Sequence, residues 1–417
     1  MAKKVGFIGT RFAGTDGVSL ETDKWVEVFS RLGYTASFFS GLCDKAPAVS
    51  YVAPEAYFGH SQVQHLQSLC FGTTKAAASL ELDIRNMASK LKEHLYHYIK
   101  TFKPDLLIIE NALAIPMHIP LAIAITEVLK ETGITTLAHH HDFYWERERF
   151  SVTPFAELLE ETFPPNLENI RHVVINSDAK DDLYKRKNIY ATVIPNVHDF
   201  ANPPMEIDAY SHELKKDLAI KKGELLFVQP TRIIARKGIE LAIDLISMLR
   251  EYRIRLVVPH HELDEGDTYA HWLVSQAEKK GVNFMCSPDI IGLERGTTND
   301  NRRRYSLWDL YNHADFITYP SLYEGFGNAF LEAVYFGKPI FINRYKVYQR
   351  DIEPLGFQTI SINNTVTEEA ADQVRRLLVD TNLQQQFAQT NYDIARKYFS
   401  YEALEKLLAQ CMSLSAR

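Results

Sequence analysis

The sequence predicts an α/β protein built from two doubly wound domains that face each other across a cleft. Short apolar segments alternate with longer amphipathic segments along the chain. The alternation pauses in a polar, proline-containing stretch near residues 197–205 and then begins again. The 417 residues are enough for two or three domains at roughly 150 residues each.

The first half reads as a parallel sheet with helices between its strands. A strand that is buried on both faces shows a continuous apolar run instead of alternation. Such runs cover residues 5–9, 35–39, 105–109, 135–138 and 173–176. Between them, apolar side chains recur at helical spacing over residues 18–32, 84–99 and 117–131. We expect this Rossmann-like domain to span residues 1–198.

The second half repeats this organisation from residue 199 onward. Its apolar runs predict strands at residues 225–228, 254–258, 282–285, 316–319 and 340–343. Helices are predicted after residue 238 and over 328–337. Residues 292–305 are rich in Arg and Asn, and we expect them to form a long, solvated loop.

The composition excludes several classes of protein. With 46 basic and 53 acidic residues the formal charge is −7, which disfavours nucleic-acid binding. The four cysteines form no CxxC pair and indicate neither a disulfide framework nor a zinc framework. No apolar run is long enough to span a bilayer, and the chain enters a strand without a signal sequence. We therefore expect a soluble, cytoplasmic protein.

A glycine-containing loop follows the first predicted strand. It contains Gly14, Thr15, Asp16 and Gly17, at the place where a doubly wound sheet binds ligands. Glycines there let the backbone approach an anion. The dinucleotide pattern G-x-G-x-x-G is absent, so NAD is an improbable ligand. A simple tight turn remains the alternative.

Three consecutive histidines and an aspartate, residues 139–142, follow the strand at 135–138. If the chain stays extended, His139 and His141 face one way and His140 faces the other. Adjacent histidines therefore rarely converge on one ion, and no carboxylate–histidine helix motif supports a metal site. The strand-end position favours hydrogen bonding in an active site. An exposed or capping role is the alternative.

Two cations lie beside a predicted helix N-terminus in the second half. Arg232 and Lys237 precede Gly238, where the helix dipole and free amides already favour an anion. Together they could neutralise a diphosphate. Taken alone, ordinary surface Arg and Lys would explain them equally well.

The most specific pattern covers residues 320–333. Glu324 lies in the loop and Glu332 lies in the following helix, in an E-x7-E spacing with Gly325 and Gly327 between them. Carboxylates accept hydrogen bonds from sugar or ribose hydroxyls, and the amides of residues 327–329 can bind phosphate. An exposed glutamate pair is the alternative.

Together these motifs resemble the family 4 retaining glycosyltransferases of GT-B fold, over nearly the whole chain. The resemblance implies that residues 199–395 bind a nucleotide-sugar donor and that residues 1–198 bind the acceptor. It also implies that residues 396–417 form a helix returning to the first domain. The sequence departs from the family at Val197 and His198, where a glycine usually follows Pro-Asn, and in the long 292–305 segment.

The resemblance also implies roles for particular residues. Arg232 and Lys237 would hold the diphosphate, and Glu332 would hold the ribose. Glu324 would lie beside the donor sugar, as would His141, with His140 as the alternative. The backbone of Phe326, Gly327, Asn328 and Ala329 would surround sugar and phosphate. The base would lie near residues 287–290, and the acceptor near residues 14–17 and 110–111.

The expected reaction is retaining transfer of a hexose, glucose or mannose, from a UDP- or GDP-sugar to a hydroxyl of a small soluble sugar. No metal or other cofactor is expected. The alternatives are a glycoside phosphorylase on the same fold, a transferase acting on lipid or polysaccharide, and a binding protein without turnover. We expect neither nucleic acid nor a membrane-spanning segment, and a homodimer is compatible with the sequence.

Overall fold

A computed structural model describes residues 3–14, 16–77, 79–259, 267–286, 289–292 and 294–413. The chain divides into two compact units. One comprises Met1–Asn196 together with Tyr401–Arg417, and the other comprises Val197–Ser400. Each contains a parallel sheet with helices between successive strands, as the sequence predicts.

The first unit is built on a sheet whose order, within the described residues, is β5-β3-β1-β6-β7-β8-β9. All of its strand pairs are parallel. The strands of this unit are β1 Lys3–Ile8, β2 Arg11–Phe12, β3 Tyr34–Ser40, β4 Leu42–Cys43, β5 Ser50–Val52, β6 Leu106–Glu110, β7 Thr136–His140, β8 Ile170–Val174 and β9 Ala191–Val193. From β1 the chain winds first toward one edge and then toward the other, so the winding direction reverses between β1 and β6.

The helices described in this unit are α1 Gly17–Arg31, α2 Ser61–Cys70, α3 Leu80–Phe102, α4 Ile119–Thr132, α5 Ala156–Thr162 and α6 Ser177–Lys187. Three of these six helices, α1, α4 and α6, begin at a side chain that binds a free backbone amide. Asn176 shows how this shifts a predicted boundary. It was expected to lie in a strand, but its Oδ1 accepts the Ala179 N–H at 2.7 Å and caps α6. The strand before it is β8, which begins and ends earlier than predicted.

His118 caps α4, and its two hydrogen bonds require a neutral ring. Its Nδ1 accepts the Leu121 backbone N–H at 3.2 Å, while Nε2 lies 2.7 Å from the Glu55 carbonyl oxygen. The ring satisfies both contacts only when it is neutral with the proton on Nε2. Burial lowers the pKa of His118 to about 4.

We expect this histidine to make the first unit sensitive to acid. The unfolded chain takes up a proton near the ordinary pKa of about 6.5, whereas the folded ring does not until about 4. Its contribution is complete above the unfolded pKa and is lost as pH falls toward the folded pKa, at about 1.4 kcal/mol per pH unit. Denaturant midpoints at pH 7 and pH 4.5 should therefore differ less for His118→Asn, a non-titrating cap, than for the wild type. Equal differences would contradict this origin of the acid sensitivity.

The second unit is built on a sheet whose order, within its described residues, is β12-β11-β10-β16-β17-β18. These pairs are parallel as well. The strands of this unit are β10 Leu225–Val228, β11 Ile254–Val258, β12 Asn283–Cys286, β13 Ile291–Gly292, β14 Gly296–Thr297, β15 Arg303–Ser306, β16 Phe316–Tyr319, β17 Ile340–Asn343 and β18 Ile360–Ile362. The winding direction reverses between β10 and β16.

Along the chain, helices lie between most successive strands of this sheet. The helices of the second unit are α7 Leu214–Asp217, α8 Ile239–Met248, α9 Asp267–Lys280, α10 Leu307–His313, α11 Asn328–Tyr335, α12 Glu368–Val379 and α13 Thr381–Tyr398. A continuous apolar core includes Phe227 and Phe316 on adjacent strands, whose rings stack at 5.0 Å between centroids. This packing holds β10 and β16 side by side.

The prediction of a long loop over residues 292–305 is wrong, because part of this segment forms a β-hairpin. Residues Gly296 and Thr297 pair antiparallel with Arg304 and Arg303. Ion pairs within the surrounding structure neutralise the charges that suggested a solvated loop. Arg295 lies 2.6 Å from an Asp208 oxygen, for example, and also contacts Asp309.

The predicted C-terminal helix is present as α14 Tyr401–Ser413, which belongs to the first unit. It packs beside α1, where Arg31 lies 3.3 Å from Glu402. On its other end, the Arg171 guanidinium donates to the Cys411 carbonyl at 2.7 Å. Residues 396–398, which were assigned to the same helix, instead end α13. Among the helices that the structure describes, none combines the length and apolar character needed to cross a bilayer.

Candidate active site

In the second unit, the predicted donor-binding residues lie in the loops that follow β10 and β16. These two strands are neighbours, and the chain winds away from them in opposite directions. Ligands of open α/β sheets bind at such a reversal, beyond the carboxyl ends of the strands. Arg232 and Lys237 follow β10, while Glu324 follows β16.

Lys237 and Glu324 form a buried ion pair. Their side chains are only 11% and 9% exposed, and Lys237 Nζ contacts Glu324 Oε1. The second carboxylate oxygen lies 3.2 Å from the Arg236 guanidinium, which also donates to the Tyr323 carbonyl at 3.1 Å. Each oxygen of Glu324 therefore holds one cation in place.

The cluster carries a net positive formal charge, because three cations, Lys237, Arg236 and Arg232, act around the single carboxylate of Glu324. Burial raises the pKa of Glu324, but Lys237 and Arg236 outweigh it, so the pKa lies below its ordinary value. Burial lowers the pKa of Lys237, and Arg236 and Arg232 lower it further despite Glu324. The lysine therefore lies among other cations, and an incoming anion would relieve their repulsion.

Gly238 lets α8 begin directly after these cations. Its φ is +60°, and a Cβ there would lie 2.4 Å from the Pro320 carbonyl oxygen in the loop after β16. The two site loops thus approach each other more closely than any side chain at this position would allow. Gly337 has a similar φ of +62°, but its Cβ would meet nothing closer than Ala388 Cβ at 3.5 Å.

This difference makes the two glycines a matched test. Gly337→Ala should cost only the left-handed backbone penalty, about 1–2 kcal/mol. Gly238→Ala should cost more, because the Pro320 carbonyl must also move, and it should lower transferase activity by displacing Lys237. Denaturant midpoints and initial rates of both variants check this. Equal losses of stability would contradict the close approach of the loops.

The loop after β16 leads into α11 through the predicted residues Phe326 to Ala329. The Phe326 ring is buried against Phe399, with centroids 5.3 Å apart, so only its backbone is available to a ligand. Its carbonyl accepts the Tyr345 hydroxyl at 2.6 Å. Gly327 has a φ of +117° and precedes Asn328, the first helical residue. Asn328 and Ala329 are both partly exposed.

Glu332 lies within α11, and its position is fixed by a neighbouring helix. The Tyr311 hydroxyl donates to Glu332 Oε2 at 2.8 Å. Tyr311 is buried in α10 and, by burial first and the Glu332 charge second, its pKa lies well above the ordinary value. The tyrosine therefore keeps its proton and donates the hydrogen bond to Glu332.

In the first unit, the histidines after residue 138 alternate as predicted. His139 Nδ1 and His141 Nε2 lie 3.0 and 3.4 Å from the same oxygen of Glu110, at the end of β6. The Asn111 side chain accepts the His141 backbone N–H at 3.0 Å. His141 is the more accessible ring, with 12% of its side chain exposed against 1% for His139.

His140 faces the opposite side of the sheet. Its Nε2 lies 3.0 Å from Nδ1 of the buried His172, and the two rings stack. Burial lowers the pKa of His140 well below its ordinary value, so the ring stays neutral. The alternation of side chains along β7 therefore places His140, the alternative to His141, in the core. Only His141 is partly accessible to a ligand.

The loop after β1 is organised by its own aspartate. Asp16 caps α1, accepting the N–H groups of Val18 and Ser19 at 3.2 and 3.3 Å. It also pairs with Arg11 at 2.8 Å. The amides of Val18 and Ser19, directly after the predicted loop residues, are thus already bound by a carboxylate. Thr15 lies outside the described residues; Gly14 has a φ of +78°, and Gly17 begins α1.

Some site residues were not predicted. Arg236 was overlooked although it directly precedes Lys237, because an exposed arginine beside a motif is common. Glu21 is fully buried on α1 beside Lys24. Its position on the apolar face of an amphipathic helix is the sequence feature that could have identified it. Of the residues expected near the base, 287 and 288 lie outside the described residues, and Ile290 is buried.

Comparison with known proteins places these features in a family. Residues 299–393 match the family described as glycosyl transferases group 1. A mannosylglucosylglycerate synthase of Thermotoga maritima is 31% identical, over 98% of this chain and 99% of that protein. A protein of the same name from Petrotoga mobilis is 34% identical over 87% of both. The chain belongs to the group 1 glycosyl transferases.

This membership confirms the predicted enzyme class, a hexosyltransferase that uses a nucleotide-sugar donor and a sugar acceptor. The fold agrees as well. The sucrose-phosphate synthase of Thermosynechococcus elongatus superposes with a TM-score of 0.66 at 15% identity, over 98% of both chains. The predicted GT-B class with two Rossmann-like domains is thereby confirmed.

Proposed function

We propose that this glycosyltransferase transfers a mannosyl group from a nucleoside-diphosphate mannose to a hydroxyl of glucosylglycerate, with retention of anomeric configuration. Both curated relatives carry the name mannosylglucosylglycerate synthase. A product of that name is completed when mannose is joined to a glucosylglycerate, which is a small, negatively charged sugar. GDP and UDP are the two candidate carriers, and the reaction belongs in the cytoplasm.

The observation that carries this proposal is the cation cluster around Glu324. Cleavage of the donor builds negative charge on the leaving diphosphate. Lys237 and Arg236 are held by one carboxylate, and the charge of Arg232 also reaches Lys237. Cations fixed in a buried site stabilise such charge without having to reorganise during the reaction. The transfer accordingly needs no metal at the diphosphate.

The remaining residues complete the donor site in this proposal. Glu324 orients Lys237 and Arg236 and turns its remaining lone pairs toward the donor sugar. The first amides of α11, at Asn328 and Ala329, meet phosphate or sugar, where the helix N-terminus favours an anion. Glu332, oriented by Tyr311, accepts hydrogen bonds from the ribose hydroxyls.

From the first unit, the proposal assigns His141 to the donor sugar, near its reacting carbon. It is the most accessible of the three histidines at the end of β7. Retention then follows from attack on the same face that the diphosphate leaves, with the leaving phosphate accepting the proton of the acceptor hydroxyl. The acceptor binds near Glu110 and Asn111 at the end of β6, where the winding of the first sheet reverses.

The test is a matrix of donors and acceptors with product analysis by NMR. GDP-mannose, UDP-mannose, GDP-glucose and UDP-glucose are each combined with glucosylglycerate and with glucosylglycerol, which has similar hydroxyls but no carboxylate. We expect an α-mannoside to form from an α-linked donor, with glucosylglycerate preferred. Transfer only to glucosylglycerol would overturn the acceptor, and glucose transfer alone would overturn the donor sugar. Cleavage that requires inorganic phosphate would overturn the transferase mechanism.

A further inference from the structure

One cluster in the first unit has a composition that the donor chemistry does not require. Glu110, His139 and His141 direct one oxygen and two ring nitrogens toward each other, and all three donor atoms lie within 4.8 Å of one another. In the part of the chain that the structure describes, no other group of three such side chains does so. The cluster is buried except for the 12% exposed side chain of His141.

We propose that Glu110, His139 and His141 bind a divalent transition-metal ion of the Zn²⁺ class. Two imidazoles and one carboxylate form a ligand set that suits zinc, with the fourth position left to water or another ligand. Magnesium and calcium prefer oxygen ligands, so the two imidazoles disfavour them.

The distances fit this ligand set. Ligand atoms about 2.0–2.1 Å from a tetrahedral zinc lie about 3.3 Å from each other. The two nitrogen–oxygen separations to Glu110 are 3.0 and 3.4 Å. The two ring nitrogens lie within 4.8 Å of each other, so side-chain adjustment would place one ion against all three atoms.

The surrounding residues hold the ligands in these orientations. The indole of Trp25 stacks on the His139 ring, with centroids 4.2 Å apart and planes at 23°. Asn111 fixes the backbone of His141 through a 3.0 Å hydrogen bond. Preorganised neighbours of this kind strengthen metal binding, because the ligands do not have to be ordered when the ion arrives.

The charge of the surroundings favours a cation as well. Glu110 and Glu21 are both fully buried, and the charge of Glu21 acts on His141. Lys24 lies 2.8 Å from Glu21. A divalent ion bound by these three residues, Glu110, His139 and His141, would compensate the buried carboxylate of Glu110.

A bound ion would occupy Nε2 of His141. If His141 contacts the donor sugar, added Zn²⁺ should therefore inhibit transfer; this consequence rests on the proposed function. Binding itself does not depend on that function, and it is measured without any sugar. A failure of the proposed reaction and a failure of the metal site can thus be told apart.

The experiment titrates the metal-free full-length protein with Zn²⁺ alone by calorimetry and with Co²⁺ by visible absorption. We expect one equivalent to bind, and the d–d bands of the Co²⁺ form to be those of a tetrahedral site and to disappear when Zn²⁺ is added. His139→Gln and Glu110→Gln should each weaken binding by more than about 100-fold. His94→Gln, which removes a histidine that contacts Tyr51 instead, should bind as the wild type does.

Circular dichroism of each variant checks that it is folded. If a variant does not fold, the cobalt spectrum of the wild type tests whether a tetrahedral site is present. No binding by the wild type would overturn the proposal and leave a hydrogen-bonded carboxylate–imidazole network only. Binding that persists unchanged in folded His139→Gln and Glu110→Gln would place the ion elsewhere and would also overturn it.

Discussion

Lys237→Met is expected to lower kcat/KM for transfer by about 10²–10³-fold. Removing one preorganised group that stabilises transition-state charge has an effect of this size. Lys237 is such a group, because its buried ammonium lies within a cluster that has more cations than Glu324 alone can neutralise. Arg236 and Arg232 would remain, so we expect residual activity. Initial rates at several donor concentrations measure the loss.

Lys338→Met is the matched control for this variant. Lys338 is a partly buried lysine of the same unit, and its Nζ donates to the Asn312 carbonyl at 2.8 Å and not to Glu324. Its removal should leave kcat/KM within a few-fold of the wild-type value. Near-wild-type rates in Lys237→Met, or equal losses in both variants, would contradict the assignment of Lys237 to the donor diphosphate.

The second large effect concerns stability and the same ion pair. Lys237→Met removes one of the two cations that contact the buried carboxylate of Glu324, and Glu324→Gln leaves Lys237 buried near Arg236 and Arg232. Removing one partner of a buried pair costs about 3–5 kcal/mol. Replacing both partners by uncharged side chains is often close to neutral. We therefore expect Lys237→Met/Glu324→Gln to recover most of the stability that either single variant loses.

The double variant should nevertheless stay as inactive as Lys237→Met. Guanidinium chloride midpoints of the affected transition give the stabilities, and the coupling between the two positions follows from the four proteins. Additive losses would show that the pair is not coupled in the folded protein. Recovery of activity together with stability would mean that the lysine acts only through folding.

Much of this architecture could be predicted because parallel strands buried on both faces carry a simple signal. The runs at residues 225–228, 254–258, 316–319 and 340–343 match β10, β11, β16 and β17 to the residue. Edge strands such as Ser50–Val52 and Ala191–Val193 were missed. They are three residues long and only partly buried, so hydrogen bonding to a neighbour defines them more than apolar composition does.

The hairpin of β14 and β15 was mispredicted for a related reason. Local composition marks residues 292–305 as polar, but partners distant in sequence neutralise the charges. Arg295 pairs with Asp208, and the hydroxyl of the fully buried Tyr305 donates to Asp217 at 2.6 Å. Neither partner can be identified from the segment itself.

The sequence by itself determined the α/β class, the two repeated halves and the motifs that carry the donor chemistry, because these depend on residue type and spacing along one strand–loop–helix unit. Even the opposite orientations of His140 and His141 follow from the two-residue period of a strand. Only the tertiary structure decided which residues meet. It joined Lys237 and Arg236 to Glu324 across adjacent strands, and it brought Glu110 to two histidines from the next strand. Such contacts depend on strand order and register, which no local pattern contains.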